Sequence, residues 1–157
     1  YKVKITDTRK TIPGLRDLQK YAVRIGDGYN HRMGLDEMIL IKDNHIKVTS
    51  GYTKLPSVPK GFKIEIEVQN LEEFNHALKF KPDFIMLDNM GLEDIKEAVK
   101  IKNNTVFNSH HPPTKLEVSG GVNLDNVRKI AATGIDIISI GALTHSVKSV
   151  DMSLEIK

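Results

Sequence analysis

Short apolar blocks recur along this chain, and each gives way to a polar loop. Val3 and Ile5 alternate with polar neighbours and predict a strand over 2–6. Leu15, Leu18, Tyr21, Ala22 and Ile25 recur at helical spacing and predict an amphipathic helix over 14–26. Met38-Ile39-Leu40-Ile41 is a continuous apolar run, the mark of a buried parallel strand. Over 62–68, Ile64, Ile66 and Val68 alternate with Glu65 and Glu67, a period of two that again predicts a strand. Asn70, followed three residues later by Glu73, is a capping-box signature for a helix running to about Lys81. The pattern continues with a strand at Phe84-Ile85-Met86-Leu87, a helix over 92–102, a strand at Leu116-Glu117-Val118 and a helix over 124–133. It ends with a strand over 135–140, a helix start after Gly141 and a last strand from Met152 to Ile156. Residues 47–62, punctuated by Gly51, Pro56, Pro59 and Gly61, predict an irregular connection, and 102–115 a second loop.

Strand followed by helix, repeated about six times, predicts an α/β fold with a parallel sheet and right-handed crossovers in a single domain. An open doubly wound sheet and a closed or partly closed (β/α) barrel both fit this order. Polar residues stand at the end of nearly every strand, as though converging on one mouth. The last two strand ends, Ser119-Gly120-Gly121 and Gly141-Ala142, are glycine loops of the kind that let phosphate oxygens approach backbone N–H groups. Both features favour a TIM-barrel-like fold, incomplete because six to seven strands fall short of eight.

Composition narrows the function classes. The 157 residues suffice for one cored domain, and 39% hydrophobic with 27% charged residues is a globular balance. There is neither an apolar run of membrane-spanning length nor a signal-peptide pattern at the start. The absence of cysteine excludes disulfides and thiolate metal sites. A net charge of +3 with dispersed lysines and 6% aromatics does not suit a nucleic-acid binder, whereas single cations at strand ends suit a small anionic ligand. Because the chain starts at Tyr1, one step from a strand, a fragment or processed chain with an upstream domain is expected.

The densest chemistry lies in Asp7-Thr8-Arg9-Lys10-Thr11-Ile12-Pro13-Gly14-Leu15-Arg16. Pro13 and Gly14 make it a stiff turn that presents Arg9 and Lys10 at the carboxyl end of a strand, the edge where α/β folds bind ligands. The other strand ends contribute His31, Arg32, Lys42, Glu67, Asp88, Ser119, Gly120 and Gly141. Taken singly, each has an ordinary alternative: Glu67 facing solvent, Asp88 capping a helix, His31 a structural or surface histidine. Together they match a polyanionic substrate held with a divalent metal, since two carboxylates from neighbouring strands suit Mg²⁺ and arginines opposite suit carboxylates or pyrophosphate. His110 and His111 read as surface residues, and His45 as a structural residue of the loop after Lys42.

The loop, together with Asn30-His31-Arg32-Met33-Gly34-Leu35 and Leu40-Ile41-Lys42-Asp43-Asn44-His45-Ile46, resembles the quinolinate phosphoribosyltransferase family. Ile64-Glu65-Ile66-Glu67-Val68, Met86-Leu87-Asp88-Asn89-Met90, Glu117-Val118-Ser119-Gly120-Gly121-Val122 and Ile138-Ser139-Ile140-Gly141-Ala142-Leu143-Thr144 continue the resemblance in order. It implies transfer of phosphoribose from 5-phosphoribosyl-1-pyrophosphate (PRPP) to quinolinate with decarboxylation. The products would be nicotinate mononucleotide, pyrophosphate and CO₂, in a Mg²⁺-dependent step of NAD synthesis. It also implies a homodimeric or higher cytoplasmic enzyme, with no nucleic-acid or membrane partner, whose barrel follows an α/β sandwich domain absent from this chain. By position, Arg9, Lys10, His31, Arg32 and Lys42 surround the quinolinate carboxylates and the pyrophosphate. Glu67 and Asp88 serve ribose and metal, and Ser119, Gly120 and Gly141 hold the 5′-phosphate. Lys10, Lys42, Glu67 and Asp88 are the implied catalytic set. Asp27 stands where the family usually has glycine. The rival expectations are a molybdenum-associated (ModD-like) relative of the same family and a truncated, non-catalytic barrel that binds phosphate.

Overall fold

Every strand in the sheet pairs in parallel, and the partners follow from the crossover order. In the computed structural model, which describes residues 2–42, 44–45, 59, 61–105 and 112–156, six strands and five helices are assigned. They are β1 (Lys4–Thr6), α1 (Arg16–Ile25), β2 (Met38–Ile41), β3 (Lys63–Val68), α2 (Leu71–Leu78) and β4 (Phe84–Asp88). The remainder are α3 (Leu92–Asn104), β5 (Lys115–Ser119), α4 (Val127–Ala131), β6 (Ile137–Ser139) and α5 (Ala142–His145). The sheet order is β1-β6-β5-β4-β3-β2. Carboxyl ends from both extremes of this order line one cleft, Thr8 beyond β1 and Lys42 beyond β2, so the sheet curls into a partly closed barrel. Tyr29 pairs with Thr6 on the free side of β1 and adds a one-residue seventh rung.

The apolar core lies outside the barrel wall. Ile64, Ile66, Val68, Ile85, Leu87, Leu116, Val118 and Ile138 point outward from their strands to meet Phe74, Ala77, Ile95, Ala98 and Ile130 of the helices. The opposite strand faces carry Glu65, Glu67, Met86, Glu117 and Ser139, all buried, so the barrel interior is polar. The alternation at 62–68 thus separates core from barrel interior, rather than core from solvent. At the α2 start, Asn70 Oδ1 accepts the Glu73 N–H at 2.9 Å, while Glu73 reaches back to the Gln69 N–H at 2.8 Å, one residue before the cap, and to Asn70 Nδ2 at 3.0 Å, a variant of the expected capping box.

Five expectations need correction. Met152, Leu154 and Ile156 form no strand: the segment finds no partner edge within the described chain, and their side chains are 84–93% exposed. In α1 the apolar stripe is turned outward, with Leu18, Tyr21 and Ile25 more than half exposed, and the buried residue is Lys20. The helix starts at Arg16, because Gly14 (φ +78°) and Leu15 still belong to the turn. The run at 38–41 is half-buried, since β2 is an edge strand paired only with β3. The expected loop over 102–115 begins later, after Asn104, and 106–111, including His110 and His111, lie outside the described residues. So does nearly all of 47–62.

Candidate active site

The strand ends converge as expected. A cleft of about 520 Å³ at the carboxyl edge is lined by Arg9, Lys10, His31, Arg32, Lys42, Glu67, Asp88, Ser119 and Gly120, with Thr8, Asn89 and Glu117 among their neighbours. Gly141 lies beside this cleft rather than on its lining, at the turn from β6 into α5. A Cβ at Gly141 would meet the exposed His145 ring at 2.6 Å, so a side chain there would displace that ring.

The loop that carries Arg9 and Lys10 is built by Arg16. Its guanidinium donates to Thr11 Oγ1 (3.1 Å), to the Met33 carbonyl (3.1 Å) and to the Arg9 carbonyl (3.2 Å), tying the first loop to 26–34. Thr144 Oγ1 donates to the Lys10 carbonyl at 2.7 Å, Gln19 Nε2 donates to the Thr144 carbonyl, and Gln19 Oε1 accepts the Ile12 N–H at 2.9 Å. The polar face of α1 therefore serves the site, which is why its apolar stripe points away. Asp27 adopts φ +61°, a left-handed backbone that glycine enters without strain.

Within the cleft the cations are only partly satisfied. Arg9 Nε and Arg32 Nε are buried without a hydrogen-bond partner. Burial, and then the neighbouring Arg9, push the Arg32 pKa below its ordinary value. Two guanidiniums side by side in a partly desolvated cleft call for an anion between them. Lys42 Nζ donates to Glu67 Oε2 at 2.6 Å, and Asp88 accepts from Asn89 Nδ2 at 3.0 Å. The strand register places Glu67 opposite Met86, so Glu67 and Asp88 project from adjacent strands to the same interior face. Gly120 (φ +88°) passes so close to the Asn89 side chain that a Cβ would sit 2.3 Å from Asn89 Oδ1. Gly120 and Gly121 both line the cleft. Lys42 N donates to His45 Nδ1 at 3.1 Å, a contact that fits the structural alternative for His45.

His31 is tied mainly to the barrel interior. Its Nε2 lies 3.2 Å from Glu65 Oε2 and 3.5 Å from Glu117 Oε1, flanked by both carboxylates without a linear hydrogen bond to either. Nδ1 accepts the Arg32 backbone N–H at 2.9 Å, so Nε2 is the nitrogen whose proton the two acids hold. Burial pulls the His31 pKa down, but Glu117 and Glu65 more than reverse this and raise it, while the Nδ1 contact to the Arg32 N–H opposes a second proton, because a doubly protonated ring has no acceptor. Glu65, fully buried, is pushed up to about 7, first by burial and then by Glu117. Ser139 Oγ donates to Glu117 Oε1 at 2.6 Å, so Thr6, 2.6 Å from that hydroxyl, is the donor to Ser139. Beneath this layer a smaller cavity of about 280 Å³ reaches toward the amino ends of the strands.

Among the described residues, His31, Glu65 and Glu117 bring three potential metal-ligating atoms within 4.8 Å of one another. A ring whose Nδ1 accepts a backbone N–H presents a protonated Nε2, which makes this cluster a proton-sharing network in the geometry seen. The oxygen-only pair Glu67 and Asp88, opening on the larger cleft, fits a hard cation such as Mg²⁺ better. Sequence reasoning missed Asp7, Arg16, Lys20, Glu65 and Glu117. For Glu117 the signal was a charged residue between Leu116 and Val118, whereas Glu65 sits in a regular alternation with Ile64 and Ile66 that reads as solvent-facing. For Lys20 there was none, because a lysine on the polar side of an amphipathic helix reads as solvated.

Comparison with known proteins agrees with this geometry. Residues 1–155 match the family model described as quinolinate phosphoribosyl transferase, C-terminal domain. A probable nicotinate-nucleotide pyrophosphorylase (carboxylating) of Methanocaldococcus jannaschii is 48% identical over 98% of this chain and 56% of its own length. The nicotinate-nucleotide pyrophosphorylase (carboxylating) of Mycobacterium leprae is 42% identical over 99% and 54%. The solved nicotinate-nucleotide pyrophosphorylase of Francisella tularensis superimposes with a TM-score of 0.83 at 47% identity, over 98% of this chain and 52% of that one. The chain spans about half the length of the curated relatives it matches. With matched sequence over nearly its whole length and the same barrel, the chain belongs to the quinolinate phosphoribosyl transferase family, as its C-terminal domain.

Proposed function

We propose that the whole protein transfers phosphoribose from PRPP to quinolinate, with loss of CO₂, to give nicotinate mononucleotide and pyrophosphate. The observation that carries this reading is the placement of Arg9 and Arg32, each with a buried, unpartnered Nε, in one cleft with the acids Glu67 and Asp88. A pyridine dicarboxylate satisfies the first pair; a ribose bearing phosphates satisfies the second together with the glycine loops. The rival phosphate-binding barrel would need neither the two arginines nor the two acids.

In this reading Arg9, Arg32 and His31 seat the quinolinate carboxylates with the ring nitrogen toward the ribose, and Lys10 and Lys42 face the pyrophosphate. Ser119 and Gly120, on the cleft lining, hold the 5′-phosphate, with Gly141 standing beside them at the start of α5. Attack of the nitrogen at the anomeric carbon passes through an oxocarbenium-like state, and the carboxylates of Glu67 and Asp88 stabilise its positive charge. Lys42, already 2.6 Å from Glu67, couples that carboxylate to the leaving-group side. Glu67 and Asp88 would also hold Mg²⁺, which when bound neutralises pyrophosphate charge. Once the ring nitrogen is alkylated, its positive charge favours departure of the adjacent carboxylate as CO₂, and the electron pair left on the ring carbon takes a proton from water, so no covalent nucleophile is required.

The domain arrangement that goes with this reading is one barrel domain over residues 1–157, joined in the whole protein to an α/β sandwich domain and assembled as a cytoplasmic homodimer. No helix of the described residues is long and apolar enough to cross a membrane. The test is turnover by the full-length protein of quinolinate and PRPP with Mg²⁺, following nicotinate mononucleotide, alongside Lys42→Ala and Asp88→Ala. Product that depends on both side chains supports the assignment. Absence of product from the intact full-length protein refutes it.

A further inference from the structure

The segment 26–34 carries His31 and Arg32, yet its regular pairing with the sheet is confined to Tyr29, whose N–H and carbonyl bond to Ile5 and Asp7. It is fixed instead by charge. Asp7 and Lys20 are both essentially fully buried, and their Oδ1 and Nζ lie 2.6 Å apart. Asp7 Oδ1 also accepts the His31 backbone N–H at 2.8 Å, and Lys20 Nζ also donates to the His31 carbonyl at 2.8 Å. One ion pair therefore takes both main-chain polar groups of a single residue. Asn30 completes the unit: its Nδ2 donates to Asp7 Oδ2 at 2.5 Å and to the Lys20 carbonyl at 2.9 Å.

We propose that Asp7 and Lys20 are positioning residues, a buried ionic clamp on the His31 peptide that holds the His31 ring against Glu65 and Glu117 and the Arg32 guanidinium in the substrate cleft. The inference rests on the functional reading above for what Arg32 binds. Three observations converge on it. Buried ion pairs stabilise a fold little compared with apolar residues of similar volume, so stability alone does not call for a carboxylate and an ammonium here. The orientation of α1 is the second: the helix leaves Leu18, Tyr21 and Ile25 exposed while burying Lys20, an arrangement that delivers an ammonium to the His31 carbonyl. The third is connectivity. Asp7 follows β1 directly, Lys20 sits in the middle of α1, and Arg32 Nη1 donates onward to the Met38 carbonyl at 2.6 Å, at the start of β2. The clamp thus spans the gap between the two edge strands of the barrel. Its effect on chemistry is indirect: it sets where the substrate-binding cation stands.

The test uses the full-length protein, wild type against Asp7→Leu/Lys20→Met, which replaces the pair by apolar side chains, and Asp7→Asn, which keeps shape and an acceptor. Two readouts are taken together. Amide hydrogen exchange over 26–34 is expected to quicken by about 100-fold in the double variant and by less in Asp7→Asn, with β3 and β4 unchanged. The KM for quinolinate is expected to rise by about tenfold or more, while that for PRPP shifts by less than about threefold. Exchange over 26–34 no faster than wild type, or a quinolinate KM unchanged while 26–34 loosens, overturns the proposal. If the double variant loses protection throughout, Asp7→Asn decides, since a clamp requires its faster exchange to be confined to 26–34. If the wild type shows no turnover, the functional reading fails, and the exchange result decides the clamp by itself.

Discussion

Replacing Glu65 by glutamine should stabilise the protein at alkaline pH. Glu65 is fully buried, neither of its oxygens has a hydrogen-bond partner of good geometry, and it shares its surroundings with Glu117. Its pKa is raised from 4.5 to about 7, so the folded state binds this proton more tightly than the unfolded chain. The sign follows from linkage. The associated stability is fully present below the unfolded value of 4.5 and is lost as pH rises through about 7. At 1.36 kcal/mol per pH unit the loss is at most about 3 kcal/mol, an upper bound because Glu65, Glu117 and His31 exchange protons as a group. Glutamine removes the charge that must otherwise be buried, and leaves Glu117 as the one acid holding the His31 Nε2 proton. Urea unfolding of Glu65→Gln and wild type at pH 5 and pH 8 reads this directly. The variant is expected to match the wild type within about 1 kcal/mol at pH 5 and to exceed it by about 1–3 kcal/mol at pH 8. A variant less stable than wild type at pH 8, or a gain of equal size at both pH values, would refute the reasoning. Substrate affinity is expected to fall in the same variant, because the charge that costs stability also orients His31.

Other perturbations separate site from scaffold. Arg9→Met, which removes a half-buried cation whose buried Nε is unpartnered, is expected to weaken quinolinate binding by about 10- to 100-fold in calorimetry on the full-length protein, with little change in melting temperature. Gly120→Ala forces a Cβ to 2.3 Å from Asn89 Oδ1 at φ +88° and is expected to cost about 1–3 kcal/mol in urea unfolding, together with reduced PRPP binding. Phe74→Ala, which empties a fully buried site between helix and sheet, is expected to cost about 3–5 kcal/mol while leaving KM values nearly unchanged if the protein is assayed where it remains folded.

The sequence carried the strand–helix order well because each strand is short, apolar and followed by a distinct polar end. The residues at those ends were legible for the same reason: Arg9, Lys42, Glu67 and Asp88 have no role in packing a hydrophobic layer, and they meet in one cleft. What escaped were roles decided by tertiary orientation. The periodicity of Leu18, Tyr21 and Ile25 names a face of α1, but which face turns inward depends on what Arg16, Gln19 and Lys20 bond to across the structure. Alternation in Met152, Leu154 and Ile156 likewise signals a strand only where a partner edge exists. Glu65 and Glu117 needed knowledge that the sheet curls, since in a flat, one-sided sheet the same positions would face water.

Because the greasy layer sits between strands and helices, the lumen of this barrel is relieved of holding the fold together. Glu65, Glu117, Ser139 and Thr6 occupy positions that a solid-cored protein would fill with branched aliphatics. Such a lumen behaves like a replaceable cartridge. Its side chains can be exchanged for others of different reactivity while Ile66, Leu87, Phe74 and Ile95 continue to lock the wall to its helices. For anyone wishing to redirect the chemistry toward another ring acid, the lumen is the place to diversify, and the outer shell is the part to leave untouched.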